Sequence, residues 1–218
     1  MFPLECMPSR RKFLKTTAAL TTGLSGLTLL SPPAHSEDAD LTIVGPKKGF
    51  SPEIGTLTSM MAFMRSQVLR SVKGMSQQDL DFLLDSKANR IGALLNHLAA
   101  VETFFQLSTF EGLAPKNLPK DFKEKWGVPQ ELGDPAREAI KGHSLDFYLN
   151  LLNDTREKTL AEFRKRDDKW LMAVDKDWGW GPTNNYCKWF HVTEHEANHN
   201  GQIKLLKSRL PGAKPASE

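Results

Sequence analysis

The sequence predicts an all-α protein, a four-helix bundle with one long crossover between its second and third helices. Four segments place apolar residues at alternating steps of three and four, the signature of helices that bury one face. No window shows convincing two-residue alternation, so no strand is expected. A stretch from Ser108 to Gly142 carries four prolines and four glycines and separates the second helical pattern from the third. A chain of 218 residues is long enough for one ordinary domain and excludes two large ones.

The first 36 residues stand apart from this pattern. Arg10, Arg11, Lys12 and Lys15 against Glu5 give them a formal charge of +3, and the remaining 182 residues balance at 25 basic and 25 acidic. The net +3 is therefore not evidence of a nucleic-acid partner, and no basic stripe points to one. The basic run is followed by an apolar stretch from Thr16 to Leu30, too short and polar for a stable membrane span, and then by Ala34-His35-Ser36. This resembles a twin-arginine signal peptide cleaved before Glu37, which implies export to the periplasm or another extracytoplasmic space, with no membrane span after cleavage. Such cargo usually crosses folded and often carries a cofactor. Once Cys6 has left with the signal, Cys187 is alone and no intramolecular disulfide can form; it reads as a small buried hydrophobe.

Residues 37–50 are rich in Gly, Pro, Asp and Lys and read as a linker, which places the domain at 51–212 and a tail at 213–218. Helix one opens at Ser51-Pro52-Glu53, an N-cap with proline at the first helical position, and runs through Ile54, Leu57, Met61, Met64, Val68 and Val72. Ser76 begins a brief helix through Leu84. Helix two, from about Ser86 to Leu107, carries the stripe Ile91, Leu94, Leu95, Leu98, Val101 and Phe105. The crossover offers Phe122 and Trp126 as isolated anchors and room for one helical turn. Helix three is capped by Ser144 and buries Leu145, Tyr148, Leu149, Leu152, Leu160 and Phe163, and the charges from Arg156 to Lys169 read as its solvent face. A Trp178-Gly179-Trp180-Gly181 loop, read as a lid, precedes helix four, from Asn184 to Leu210.

Helix four carries His191, His195 and His199 at four-residue intervals, a row drifting about 40° per step. Its core face is marked by Trp189, Val192, Ile203 and Leu206, which makes His195 and His199 the inward pair. His97 lies beside the stripe of helix two. One imidazole from one helix and an i, i+4 pair from another can converge on a divalent cation with a coordination position left open. Such an ion lowers the pKa of bound water to about 7 and equally stabilises a thiolate. Spacing alone also allows packed imidazoles bonded to backbone carbonyls. His143 reads as solvated.

Residues His195-Glu196-Ala197-Asn198-His199-Asn200-Gly201-Gln202-Ile203 resemble the closing motif H-E-x-x-H-x-G-Q-I of the DinB-like (YfiT-like) superfamily. Asn89 to Glu102, with His97 five residues before an acid, is similar to its second-helix motif. The resemblance covers most of 51–210. It implies a bundle holding zinc, nickel or iron through His97, His195 and His199. It also implies a small-molecule substrate and a homodimer. Similar proteins transfer low-molecular-weight thiols such as mycothiol or bacillithiol to electrophiles, and others act on amide or thioester bonds. Export sets this chain apart from the mostly cytoplasmic thiol-using members. Glu102, Glu194 and Glu196 are candidate proton-transfer groups or supports behind the ligands. The alternative is a non-catalytic, metal-stabilised module that binds through the crossover and the Trp loop.

Overall fold

The structure, a computed structural model, describes residues 41–214; the signal segment read at 1–36 and the last residues of the tail lie outside the described residues. Four long helices form the bundle: α1 (Pro52–Val72), α3 (Ile91–Phe110), α6 (Leu145–Phe163) and α8 (Asn185–Lys207). Four short helices join them: α2 (Gln77–Asp81), α4 (Lys120–Glu131), α5 (Gly133–Ala139) and α7 (Asp168–Met172). Among the described residues none of these helices is long and apolar enough to cross a membrane.

The helix starts show how local sequence and tertiary contact share the work. Ser51 occupies the N-cap position of α1, yet its hydroxyl does not bond that helix. Asp168 of α7 caps α1 from a distance, accepting from Ser51 Oγ at 2.5 Å and from the backbone N–H groups of Glu53 and Ile54. Ser76 and Asp79 form a reciprocal capping box on α2, which ends at Asp81 rather than Leu84. The Asn184 side chain caps α8 through Cys187 N. Helix α3 begins at Ile91 rather than Ser86, its N-cap Arg90 in extended conformation.

The expectations for the two connecting segments are corrected. The crossover is not a linker with one turn: α4 buries Phe122, Trp126 and Pro129, and α5 follows after Leu132, whose φ of 57° makes the bend between them. Phe122 and Trp126, four residues apart, turn out to be one buried helix face. The Trp loop is the tip of a small ribbon, with β1 (Val174–Asp175) antiparallel to β2 (Thr183–Asn184).

Helix α3 is central, packing against α4, α6 and α8, while α1 packs on α8. Gly92 permits the close approach of α6, because a Cβ there would lie 2.7 Å from the ring of the fully buried Tyr148. The apolar interior divides in two. One cluster gathers Val68, Ile91, Leu98, Trp126, Leu152 and Ile203; the other gathers Met61, Val101, Phe105, Phe163, Trp189 and Val192. On every long helix a charged residue falls at or near the changeover between the clusters: Arg65, Glu102, Arg156 and Glu196. All four are buried, which corrects the reading of Arg156 as solvent-facing. Cys187, expected to be buried, is exposed in the first turn of α8.

Candidate metal centre

His97 from α3 and His195 and His199 from α8 meet at the side of the bundle covered by α4. One ring nitrogen from each lies within 4.8 Å of the other two, and the three could hold a metal ion. His195 Nε2 is 3.1 Å from His97 Nε2 and 3.1 Å from His199 Nε2. A tetrahedral centre with metal–nitrogen bonds of about 2.0–2.1 Å separates its nitrogens by about 3.3 Å, so the spacing suits one.

The protonation pattern tests the fit further. His97 Nδ1 lies 2.8 Å from the carbonyl oxygen of Pro129, which can only accept, so Nδ1 carries the proton and Nε2 the lone pair. His199 Nδ1 faces Gln202 Oε1 at 3.1 Å, and the Gln202 amide is oriented by its own donation to Asn198 Oδ1. His199 Nε2 is therefore also a lone pair. Two lone pairs converge on His195 Nε2, which has at most one proton to offer. A cation satisfies all three nitrogens; a hydrogen-bonded packing cluster does not. Burial, together with neighbouring imidazoles, pushes His97 down to about 4 and His195 to about 3, and burial lowers His199. The rings are neutral near pH 7, the form that binds metal.

A pocket of about 310 Å³ opens beside His195, walled by Val101, Phe104, Phe105, Trp178 and Trp180, with His191 at its edge. His191 does not join the three-nitrogen cluster. Its Nδ1 is 2.6 Å from Glu194 Oε1, and its ring stands between Trp180 at 4.9 Å and His195 at 5.5 Å. Lys188, one turn earlier, is sealed from solvent, bonds Asp175 Oδ2 at 2.8 Å and lies 4.0 Å from the Trp178 ring. That bond holds the Asp175 carboxyl below its ordinary value. His143 is exposed and stacks on Phe147, away from this site.

Glu102 and Glu196 do not support the imidazoles directly. Arg65 Nη2 lies 2.9 Å from Glu102 Oε2 and 2.5 Å from Glu196 Oε1, and Arg156 bridges the same two carboxylates at 2.8 Å each. Thr159 donates to Glu102 at 2.6 Å, and the remaining guanidinium N–H groups reach the Leu152 and Met61 carbonyls. Glu194, exposed, bonds His191. The sequence reading missed Pro129, Gln202 and Lys188. The signal for Pro129 was the Phe122/Trp126 pair, which marks a helix able to carry a carbonyl to the site, and Gln202 follows His199 by three residues.

Residues 56–212 match the family described as mycothiol-S-transferase. A solved structure, described as the "conserved protein of locus from Enterococcus faecalis", shares the fold with a TM-score of 0.55 at 15% identity, covering 71% of this chain and 94% of that one. No curated protein matches the chain.

Proposed function

This chain belongs to the mycothiol-S-transferase family, and from that premise we propose that it is a metal-dependent transferase carrying a low-molecular-weight thiol to a small electrophile. The observation that carries the reading is the pair of Nε2 lone pairs on His97 and His199 directed at His195 Nε2. A divalent ion, zinc, nickel or iron, would be held by His97, His195 and His199 and would supply positive charge that stabilises a thiolate at neutral pH. The Pro129 carbonyl and the Gln202 amide fix the tautomers of two ligands, a role that usually raises ligand basicity. His191, when neutral with its Nδ1–H given to Glu194, has an Nε2 lone pair that can take the proton the thiol loses on becoming the thiolate; the thiolate sulfur then bonds the electrophilic carbon as the leaving group departs with the bonding electron pair. An aromatic pocket opening beside His195 favours this over a purely structural metal site, which would be closed.

Elemental analysis of the purified chain should find about one divalent ion per molecule. His97→Ala and His195→Ala should each abolish it. Added metal at about 100 times its Kd should stabilise the parent by about 2.7 kcal/mol and leave the variants unmoved. A parent chain free of divalent metal, or metal retained by His97→Ala, overturns the assignment. Thiol transfer is then assayed with the loaded protein and a panel of small electrophiles.

A further inference from the structure

We propose that Gln130 is the specificity-determining residue of the pocket beside His195 and that the acceptor it selects carries a carboxamide. Gln130 Oε1 accepts the amide N–H, and the amide carbonyl accepts from Trp178 Nε1. The proposal rests on the transferase reading in taking this pocket as the acceptor side.

The pocket leaves one acceptor and one donor unfilled. Gln130 and Trp178 both line it. Gln130 Oε1 and Trp178 Nε1 are buried, and neither has a hydrogen-bond partner among the described residues. A buried polar atom without a partner is costly, and a ligand in the pocket can supply the missing bond. Gln130 is half-buried and its amide turns about a bond with broad torsional wells, so the oxygen can swing toward a donor in the pocket. Its backbone stays in place. Pro129, one residue earlier, accepts from His97 Nδ1 at 2.8 Å, which anchors the last turn of α4 at the metal centre. The Trp178 ring is located in turn by the Lys188 ammonium at 4.0 Å and the Phe105 ring at 5.9 Å.

The other ring nitrogens of the lining belong to Trp180, which is exposed, and to His191 and His195. In the transferase reading His195 holds the ion, the open position on the ion takes the thiol sulfur, and His191 takes the thiol proton. The ion attracts an anionic or carbonyl oxygen of any ligand, so it does not tell an amide from an ester or a carboxylate. Gln130 Oε1 does, because only a group with a hydrogen to donate satisfies it. An ammonium would donate as well, but it would enter beside a divalent cation. A carboxamide supplies a hydrogen and an acceptor oxygen from one planar, uncharged unit, and its flat shape suits a pocket of about 310 Å³ walled by Phe104, Phe105 and two indoles.

The test uses the zinc-loaded full chain and two probes that differ only by N–H in place of O, N-methylbenzamide and methyl benzoate, titrated by NMR. The ester is the more apolar of the two, so an aromatic pocket with no polar selector binds it more tightly. The amide should instead bind at least about fivefold more tightly than the ester. Gln130→Leu should reverse the order with the zinc content unchanged, since the carbonyl that His97 bonds belongs to Pro129. Should the leucine variant fail to fold, Gln130→Met, apolar and unbranched like the parent side chain, carries the same expectation. Trp178→Phe keeps a ring and removes the N–H, so it should weaken both probes by a similar factor of about five, because each has a carbonyl oxygen. An ester bound as tightly as the amide by the parent, an amide preference that survives loss of the Gln130 side-chain amide, or affinities unmoved by Trp178→Phe overturns the proposal. Amide preference as expected with no thiol transfer to any acceptor would sink the transferase reading alone. Transfer without amide preference would sink this one alone.

Discussion

Two buried polar clusters share the same two helices. His195 and Glu196 are neighbours on α8, and His97 and Glu102 are five residues apart on α3, yet the clusters differ in kind. The quartet of Arg65, Glu102, Arg156 and Glu196 is balanced in charge, and nearly every donor has an acceptor inside the protein. The histidine cluster brings three acceptors together with at most one proton between them. Glu196 Oε2 is the quartet's one carboxylate oxygen left without a partner among the described residues, and the network holds the four helices in register, whereas the open histidine cluster must be completed from outside. The contrast separates a scaffold from a site without any appeal to how similar proteins behave.

Cutting the quartet should produce the largest effect. Arg156→Met leaves Glu102 and Glu196 to share Arg65 inside the protein, and removal of one partner from a buried pair costs about 3–5 kcal/mol. The shift is read from the urea midpoint. Adding Glu102→Gln restores charge balance, so the double variant should lose less than the sum of the single losses. A loss below about 1 kcal/mol for Arg156→Met would show that the quartet is solvated and would dissolve the contrast.

How far the sequence carried this reading depends on what the residues were judged against. The stripe Ile91, Leu94, Leu95, Leu98, Val101 and Phe105 is buried throughout, and the second-helix and closing motifs together named the three histidines the structure brings together. The quartet was hidden because charge was read as exposure. On α1 the buried series runs Leu57, Met61, Arg65, Val68 and Val72, with half-buried Met64 beside it, so an apolar stripe drawn through Met64 skips the arginine. On α6 Arg156 continues Tyr148 and Leu152 at steps of four. Periodicity placed both arginines inside; only the side-chain class argued otherwise, and a carboxylate at the matching level of each facing helix resolves the conflict. The crossover was illegible for another reason. Pro129 stands in the last turn of α4, where it ends the helix rather than breaking it, and short helices carry too few turns to declare a face.

A smaller effect separates the clusters by pH. Burial pushes the Glu102 carboxyl up, but the Arg156 and Arg65 guanidiniums and the bonds from Arg156 and Thr159 outweigh it and hold the group below its ordinary value of 4.5. A carboxyl lowered in the folded state contributes stability that is present above its unfolded value and lost as pH falls through the folded one. The thermal midpoint of the parent should therefore fall as pH drops below about 4.5, and that of Glu102→Gln should fall less steeply over the same range. Parallel profiles would mean that Glu102 is not ionised in the folded protein and that the quartet is not a network of charges.

The smallest effect probes the open cluster from behind. Gln202 is exposed and touches the site only by accepting the His199 Nδ1 proton, so Gln202→Leu removes the group that fixes the tautomer and leaves every ligand in place. Metal affinity, measured by competition with a chelator of known strength, should fall about tenfold, equivalent to about 1.4 kcal/mol. The metal-free thermal midpoint should stay where it is, because an exposed side chain off the core face carries little stability. Gln202→Glu keeps an acceptor opposite Nδ1 and makes it a stronger one, so it should hold or raise the affinity. An unchanged affinity in Gln202→Leu would mean that His199 chooses its tautomer without help, and the inference from its Nε2 lone pair would lose its support. Loss in both variants would assign Gln202 to packing. Only loss in the leucine variant with rescue by glutamate places the proton on Nδ1 and leaves His199 Nε2 open toward His195.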